Sequence, residues 1–460
     1  MLDTDYRLIF DAYYGTGGFC SGNYLTRHKR EVDRDYTARQ ENAYYLNYFA
    51  PITNALVTPI FKKPATRDWT GAASLMEKFV QDVDGSGTNM AEFMKSAALK
   101  AKLYGSCFII VDNFSTGGDD TMANVLQKRR FPYAYCLAPQ QIIDYEADKM
   151  GRLSRIEFRD SKQTSPLGNE YYTMRFDRQG WRRTDSDNSI IEQGTYNFGC
   201  VPAVVLMSKN LSGLTLMPPS ELLPLAKVNR TIYNLCSWLN EILKNVTFPI
   251  LTLPSLDAKD VIVGNNNALG YNPEFSHEPD FIAPPSDPAN ILKEQILNMV
   301  QEMYRMAGLS FVTGTKTDTS GVSKQWDFER LNQQLADFAA QIQTAEINIV
   351  RLFGLWMNQQ IDYRVSYPDD FNISDIAYEL QNAQALIDLS LSDELKIEVL
   401  KKLLSLIFPD MESVRFDEIV KSAEDKIEED KNAFGSQPND RLLQDDEDEH
   451  DEEENKYALC

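Results

Sequence analysis

The sequence predicts an α+β protein whose first half mixes helices with strands and whose second half is built from long helices. Three observations support this fold class. The continuous apolar run Phe108-Ile109-Ile110-Val111 is typical of a strand that is buried on both faces. Further short strand-like runs follow it, separated by turn residues. From Leu225 onward, apolar side chains instead recur at alternating steps of three and four, which is the spacing of long packed helices.

The first half is expected to place helices before an antiparallel sheet. Helices are predicted at Tyr36–Phe61, Ser74–Asp82 and Met90–Tyr104, and a buried strand follows at Cys107–Asp112. Clusters of Asp, Gly, Ser and Asn then separate five shorter runs, and an antiparallel sheet is the simplest arrangement for them. These five strands are predicted at Tyr133–Leu137, Ile142–Tyr145, Leu153–Arg159, Tyr171–Phe176 and Val201–Leu206.

The most apolar stretch of the chain, Tyr45–Phe61, is predicted to be a kinked and buried helix. It carries no charge, but it contains Pro51 and Pro59 and is shorter than the roughly 20 apolar residues that span a bilayer. We therefore expect no membrane partner. The start of the chain also lacks the basic and then apolar pattern of a signal peptide, which favours synthesis in a cytoplasm.

Two helices flank a Pro-rich insertion in the second half. The first runs through a heptad seam, and it needs long neighbours to cover that seam. Residues 247–288 contain seven prolines and the turn Gly264-Asn265-Asn266-Asn267, so they should form a compact loop-and-strand insertion. A second helix is predicted at Asn290–Met306. The seam of the first helix consists of Leu225, Val228, Ile232, Leu235, Leu239, Ile242 and Val246.

The strongest periodic signal predicts one very long helix at about Lys324–Gln360. Nine apolar positions from Phe328 to Trp356 alternate steps of three and four without a break. At about 1.5 Å per residue the helix is ~55 Å long, a length that indicates an architectural role. The polar loop Ser310–Ser323 precedes it. A strand at Tyr363–Tyr367 should follow it.

The C-terminal part is predicted to be helical and separate. Ser392 fits the N-cap of a helix that Pro409 ends, and a last amphipathic helix is predicted at Met411–Ile427. From Gly435 onward the composition predicts disorder, because the segment has too little apolar surface to offset its ordering entropy. Nine of the ten residues 445–454 are acidic, which is typical of a solvating tail and less often of a partner-binding element.

Composition favours a cytosolic globular protein that does not wrap nucleic acid. The 460 residues are 43% hydrophobic, enough for about two to four domains, and the formal net charge is -22. Half of that charge falls after residue 423, where 15 acidic residues face 4 basic ones. A protein that neutralises DNA phosphates would be basic. The six cysteines are far apart in sequence and show no C-x-x-C spacing, which favours reduced thiols.

The sequence provides no catalytic, cofactor-binding or metal-binding motif. Asp82-Val83-Asp84-Gly85-Ser86-Gly87-Thr88 resembles the opening of a calcium loop, but Phe93 occupies the twelfth position, where a bidentate Glu is required. The segment is therefore predicted to be a turn, with Thr88 capping the next helix. Gly15-Thr16-Gly17-Gly18 lacks the Lys of a phosphate loop, and the three histidines are widely separated. We expect no enzymatic activity.

Several stretches, in this order, resemble the portal proteins of tailed bacteriophages. One is Phe79-Val80-Gln81-Asp82-Val83-Asp84-Gly85-Ser86-Gly87, followed by a helix and by Tyr104-Gly105-Ser106-Cys107-Phe108-Ile109-Ile110-Val111-Asp112. Another is Gly321-Val322-Ser323-Lys324-Gln325-Trp326-Asp327-Phe328, which enters the long helix. The order helix, Pro-rich insertion, helix, polar loop and very long helix also resembles the stem, clip and tunnel loop of that family. The resemblance covers most of residues 36–430.

The resemblance implies a portal-like architecture with a mixed α/β wing, a long helical stem, a small β-containing clip and a helical crown. The wing would comprise residues 1–218 and, as a long helix and strand, 325–371. The stem would comprise 219–247 and 289–308 around the clip at 248–288. A tunnel loop would occupy 309–324, the crown 372–431 and the acidic tail 432–460.

The resemblance also implies a structural function in the virion. Such subunits form a closed ring, usually of twelve copies, at one capsid vertex, and double-stranded DNA passes through it during packaging and ejection. The implied partners are the terminase large subunit, a head-tail adaptor and the major capsid or scaffolding protein, with assembly in the host cytoplasm. The tunnel loop would place Lys316 near the DNA, with Thr315, Thr317 and Lys324 beside it.

Two alternatives remain open from the sequence alone. Another oligomeric coiled-coil scaffold would share the heptads, but it would gain nothing from a Pro-rich insertion that interrupts the seam. A metal-dependent enzyme, such as a phosphotransferase, would use Asp82 and Asp84.

Overall fold

The computed structural model describes residues 2–113, 124, 128–165, 168–209, 215–247, 250–252, 280–282, 287–309, 321–369, 371, 393–407 and 413–434. The chain divides into two compact units, Met1–Asn372 and Ile373–Cys460. The first contains helices and antiparallel strands, and the described part of the second is helical. The mixed helix and strand content confirms the α+β class.

Ten α-helices are described. A short 3-10 helix, Thr58–Phe61, follows the third of them. The first five are α1 (Leu2–Tyr14), α2 (Asp33–Asn42), α3 (Phe49–Ala55), α4 (Ala73–Gln81) and α5 (Met90–Tyr104). The others are α6 (Leu223–Thr247), α7 (Asp287–Met306), α8 (Gly321–Met357), α9 (Asp393–Ile407) and α10 (Ser413–Phe434).

The described strands form four antiparallel sheets rather than the single sheet that the sequence suggested. β2 lies between β3 and β9, β4 to β8 form a five-stranded meander, β1 pairs with β12, and β10 pairs with β11. The strands are β1 (Thr66–Thr70), β2 (Ser106–Asp112), β3 (Tyr133–Leu137), β4 (Ile142–Ala147), β5 (Leu153–Ser165), β6 (Gly168–Asp177), β7 (Gly180–Thr184), β8 (Ile190–Thr195), β9 (Ala203–Met207), β10 (Ile250–Thr252), β11 (Asp280–Ile282) and β12 (Asp362–Ser366).

The core of the first unit lies on both faces of β2, as the continuous apolar run predicts. Cys107, Ile109 and Val111 belong to a large cluster with α5 and α8, whereas Phe108 and Ile110 pack on the five-stranded sheet. All five side chains are fully buried. β2, the middle strand of the three-stranded sheet, therefore packs against the helices on one face and against the five-stranded sheet on the other.

The predicted single helix at Tyr36–Phe61 is wrong. The structure divides this segment into α2, an extended stretch at 43–48, α3 and the 3-10 helix. Tertiary hydrogen bonds hold the extended stretch: Tyr45 donates to the carbonyl of Ala12 (2.9 Å), and Asn47 donates to the carbonyl of Tyr13 (2.9 Å). Asn229 satisfies backbone groups that a continuous helix would have paired, because it accepts from the amide of Phe49 and donates to the carbonyl of Leu46.

The second unit contributes α9 and α10, as expected from their amphipathic patterns. Val420 is buried within α10. The predicted cap Ser392 and the helix terminator Pro409 lie outside the described residues, as does the acidic tail.

Candidate subunit interface

The helices α6 and α7 form an antiparallel hairpin that β10 and β11 close. Ile250 pairs with Ile282, Leu251 with Phe281, and Thr252 with Asp280. The Pro-rich insertion therefore begins and ends in a strand pair. Residues 253–279 between these strands lie outside the described part of the chain.

Burial changes along a single face of α6. Leu225 and Ile232 are 3% and 0% exposed, whereas Leu243 is 49% exposed. Leu243 follows Leu225 by eighteen positions, about five complete turns, so both side chains lie on the same face of the helix. The face that is buried in the core at the start of α6 is uncovered near its end. The helix therefore extends beyond the neighbours that cover its first half.

Five large apolar side chains are exposed on this hairpin, and we call four of them, two on each helix, the hairpin apolar surface; the fifth is Met306 (44% exposed) at the end of α7. They lie on both helices, although Ile296 and Met303 of α7 are buried in the core. Around each helix the two exposed side chains are about 120–140° apart, so together they cover more than one side of the hairpin. The surface consists of Trp238 (36% exposed), Leu243 (49%), Ile291 (66%) and Leu297 (53%).

A groove of about 760 Å³ begins at Trp238 and runs between α6, α1 and the loop at 23–26. Its floor includes Leu8 and Leu235, and its rim carries charged groups. Lys227 forms an ion pair with Asp5 across it (3.8 Å). The groove therefore combines an apolar floor with a charged rim.

Polar side chains anchor the first half of α6 to the preceding segment. Buried Asn229 accepts hydrogen bonds from the hydroxyl of Tyr45 and the amide of Phe49 (both 3.0 Å), and it donates to the carbonyl of Leu46 (3.0 Å). Asn234 accepts from the amide of Thr26 (2.6 Å). The sequence reasoning missed these residues. The sequence does contain a sign of them: an asparagine side chain within an apolar helix is unfavourable unless its amide has a hydrogen-bond partner.

A buried ion pair completes this anchor. Arg39 is 2% exposed and donates to both carboxylate oxygens of Glu31 (2.7 and 2.8 Å), to Ser237 Oγ of α6 (2.7 Å) and to the carbonyl of Thr26 (2.9 Å). The hydrogen bond from Arg39 lowers the pKa of Glu31. The hairpin is thus fixed at its base and uncovered farther along.

The residues predicted for a DNA-channel loop are not brought together by the described structure. Thr315, Lys316 and Thr317 lie outside the described residues. Lys324 lies in the first turns of α8, where only its backbone is described. The loop connects the end of α7 to the start of α8, and its contact with DNA stays a prediction.

The segment 82–88 is a turn closed by its own carboxylates. Asp84 accepts hydrogen bonds from the amides of Ser86 (2.8 Å) and Thr88 (3.3 Å), and Asp82 pairs with Arg129 (2.8 Å). The prediction that Thr88 caps α5 is wrong, because Asn89 accepts from the amide of Glu92 (3.0 Å) while the Thr88 hydroxyl donates to Asp84.

Two further findings concern only the part of the chain that the structure describes. It contains no group of three His, Cys, Asp or Glu side chains that could hold a metal ion. None of its helices combines the length and the apolar character needed to cross a membrane.

No family model matches this sequence, and no curated protein is detectably similar to it. Among solved structures, the chain is similar to the neck of an empty GTA particle computed with C6 symmetry, at 11% identity and a TM-score of 0.44, over 77% of this chain and 90% of that one. It is also similar to the neck of a native GTA particle computed with C12 symmetry, at 11% identity and a TM-score of 0.41, over 76% and 88%. Such scores do not establish a shared fold.

Proposed function

We propose that the chain is the portal subunit of a tailed bacteriophage. Copies of the chain form a closed ring at one capsid vertex, and double-stranded DNA passes through the ring during packaging and ejection. The observation that carries the proposal is the α6–α7 hairpin that β10 and β11 close, with apolar side chains left exposed on it. It supports self-association, because exposed apolar surface of this kind is typical of protein contact sites.

The hairpin apolar surface supplies about 4 kcal/mol per contact, which is part of the energy that assembly needs, and other interface surface must supply the rest. The four side chains of the hairpin apolar surface are 36–66% exposed, so covering them contributes about 1 kcal/mol each. In a closed ring every subunit makes the contact twice, once with each neighbour. A filament would leave two chain ends with uncovered apolar surface.

The net charge of -22 agrees with a DNA channel that does not retain DNA. Phosphate binding grows with every lysine or arginine that neutralises the backbone, so a basic wall would hold the DNA in place. An acidic channel wall binds the phosphates weakly, so the DNA can slide through the channel. The proposal gives Lys316 and its neighbours Thr315, Thr317 and Lys324 a local contact with the moving DNA.

The remaining partners follow from this role. The proposal assigns docking of the terminase large subunit and later of the head-tail adaptor to the clip at 248–288, and contact with the major capsid or scaffolding protein to other parts of the ring. The chain would be assembled in the host cytoplasm and retained in the virion. It has no catalytic step of its own. Of the two residues of the enzymatic alternative, Asp84 closes a turn by accepting from the amide of Ser86, and Asp82 pairs with Arg129.

The test is a double charge substitution on the hairpin, L243E/I291E, with M150E as the matched control. Met150 is 79% exposed at a turn of the five-stranded sheet, so the control also replaces an exposed apolar side chain with Glu. We expect the wild type and M150E to form rings in sedimentation and electron microscopy, and L243E/I291E to remain monomeric with an unchanged circular dichroism spectrum. If L243E/I291E forms rings, the hairpin is not part of the subunit interface.

A further inference from the structure

The five-stranded sheet has a polar face opposite the core. On its inner face, Ile156, Phe158, Met174 and Phe176 pack against the three-stranded sheet of β2, β3 and β9. Side chains alternate along a strand, so the residues between these point to the outer face. Three arginines share that outer face, and we call them the arginine surface: Arg159 on β5, Arg175 on β6 and Arg182 on β7.

These three arginines lack the carboxylate partners that other arginines of the sheet have. Arg155 pairs with Asp144 (2.6 Å) and Glu146 (2.8 Å), and on the inner face Arg183 pairs with Glu192 (3.2 Å). Among the described residues, no carboxylate oxygen lies within 4.0 Å of a side-chain nitrogen of the arginine surface. The buried Nε atom of Arg175 also has no hydrogen-bond partner.

One part of this arrangement is unfavourable for an isolated chain. Arg175 and Arg182 are direct cross-strand partners, although β5 places Glu157 opposite Arg175 on its other side. Directly opposed like charges destabilise a sheet, since their Cβ atoms are only about 5 Å apart. The cluster also opposes the overall charge of -22. An anionic group bound across the three guanidinium groups would relieve the repulsion.

A cavity of about 470 Å³ adjoins the arginine surface at Arg159. Ile142, Ile143 and Met217 supply apolar lining, and Ile143 is 48% exposed. Tyr6, a residue that is 5% exposed, also lines the cavity, and its buried hydroxyl has no hydrogen-bond partner among the described residues. Because Asp144 lies in the same lining, the cavity suits an uncharged apolar side chain, with the ligand's negative charge held next to it by Arg159.

We propose that the arginine surface and this cavity bind an acidic segment of a partner protein that carries an apolar residue among its carboxylates. In an extended peptide, side chains on one face repeat about every 6.8 Å, which is comparable with the roughly 7–8 Å diagonal between Arg159 and Arg175. Tyr171, 67% exposed on the same face, adds an aromatic contact.

Nucleic acid fits this face less well. Asp144, Glu146 and Glu157 lie on the same face on neighbouring strands, so a continuous phosphate backbone crossing the sheet would meet carboxylates next to the arginines. A peptide can place its charges at the arginines alone and offer uncharged side chains elsewhere.

The test compares two triple variants of the full chain that each remove three positive charges. R159Q/R175Q/R182Q neutralises the arginine surface. K149Q/R152Q/R178Q neutralises exposed side chains at the turns of the same sheet, where Arg152 and Arg178 already pair with Asp148. The probe is a fluorescent heptapeptide with glutamates at its second and fourth positions, a leucine at its sixth position and serines elsewhere, so that the charges and the apolar side chain share one face of an extended strand. It is titrated at low salt by fluorescence anisotropy.

We expect the wild type and the control variant to bind the peptide alike and the arginine-surface variant to bind at least about tenfold more weakly, with a thermal midpoint no lower than that of the wild type. Equal affinity in the two variants, or no binding to the wild type, would overturn the proposal. A short duplex oligonucleotide is the second probe. If it binds more tightly than the peptide, and only when the arginine surface is intact, the ligand of this surface is nucleic acid and not an acidic protein segment. Ring formation is not required for either result.

Discussion

Replacement of Glu346 should destabilise the first unit more than any surface change. This carboxylate of α8 is fully buried and accepts hydrogen bonds from Arg67 of β1 (2.8 and 3.2 Å), from the Tyr363 hydroxyl of β12 (2.5 Å) and from the Tyr367 hydroxyl. Burial raises the pKa of both tyrosines, and the Glu346 charge raises it further, so both hydroxyls stay protonated and donate.

The magnitude follows from the groups left behind. In Glu346→Gln the shape is kept, but the Arg67 side chain, only 13% exposed, loses its counter-charge. Breaking a buried ion pair from one side costs about 3–5 kcal/mol. With an m-value of about 3 kcal/mol/M, the urea midpoint should fall by at least about 1 M.

Urea unfolding followed by circular dichroism measures this shift, with Asp362→Asn as the control. Asp362 pairs with Arg364 at the surface, where the two side chains are 65% and 81% exposed, so its replacement should cost under about 1 kcal/mol. If Glu346→Gln unfolds at the same urea concentration as Asp362→Asn, the buried cluster does not hold β1 and β12 to α8.

Three further variants test other parts of the fold. Burial raises the pKa of Asp112 to about 6, so the protonated form stabilises the fold and stability falls as the pH rises from about 4 through 6. The melting temperature of Asp112→Asn should not show this fall, and the variant should be more stable than the wild type at pH 7 by about 1–2 kcal/mol. Asn229→Ala leaves the Phe49 amide and the Leu46 carbonyl unpaired and should cost about 2–3 kcal/mol in urea unfolding. Gly105→Ala should cost at least about 2 kcal/mol in the same assay, because Gly105 has φ +90° and an added Cβ would lie 2.3 Å from the Pro218 carbonyl oxygen.

Each variant has an outcome that contradicts its reasoning. If the melting temperature of Asp112→Asn falls with rising pH as much as that of the wild type, another group causes the pH dependence. An Asn229→Ala protein as stable as the wild type would mean that water satisfies the two backbone groups. An unchanged urea midpoint for Gly105→Ala would contradict the close approach of Pro218.

The sequence predicted those elements whose signal is local and periodic. Met90–Tyr104 begins and ends where α5 does, and the alternating steps from Phe328 to Trp356 predicted α8 within a few residues. The continuous apolar run of β2 also predicted its burial on both faces. In each case the side chains that define the pattern are those that form the core.

Elements held by distant partners were missed. β1 has no buried side chain, and it is a strand because it pairs with β12, about 300 residues later. β8 was missed for a different reason: it pairs with the adjacent strand β7, but it is almost wholly exposed and so gives no alternating apolar signal. The break between α2 and α3 likewise depends on Asn229 of a helix far along the chain, which no local pattern reveals.

The interface could be predicted only in part. The heptad seam of α6 predicted that the helix needs neighbours, but not which half finds them within the same chain. Leu225 and Leu243 lie on the same side of the helix, five turns apart, yet only Leu225 is covered. That difference arises from where α1 and the segment at 17–42 pack, which is a property of the tertiary structure.

Negative-stain electron microscopy of the purified wild-type chain, with two-dimensional class averages, tests the central claim most directly. The proposed function predicts closed rings with a central hole and near twelve-fold symmetry. Filaments, compact dimers, or a chain that remains monomeric at the highest concentration it tolerates would contradict it.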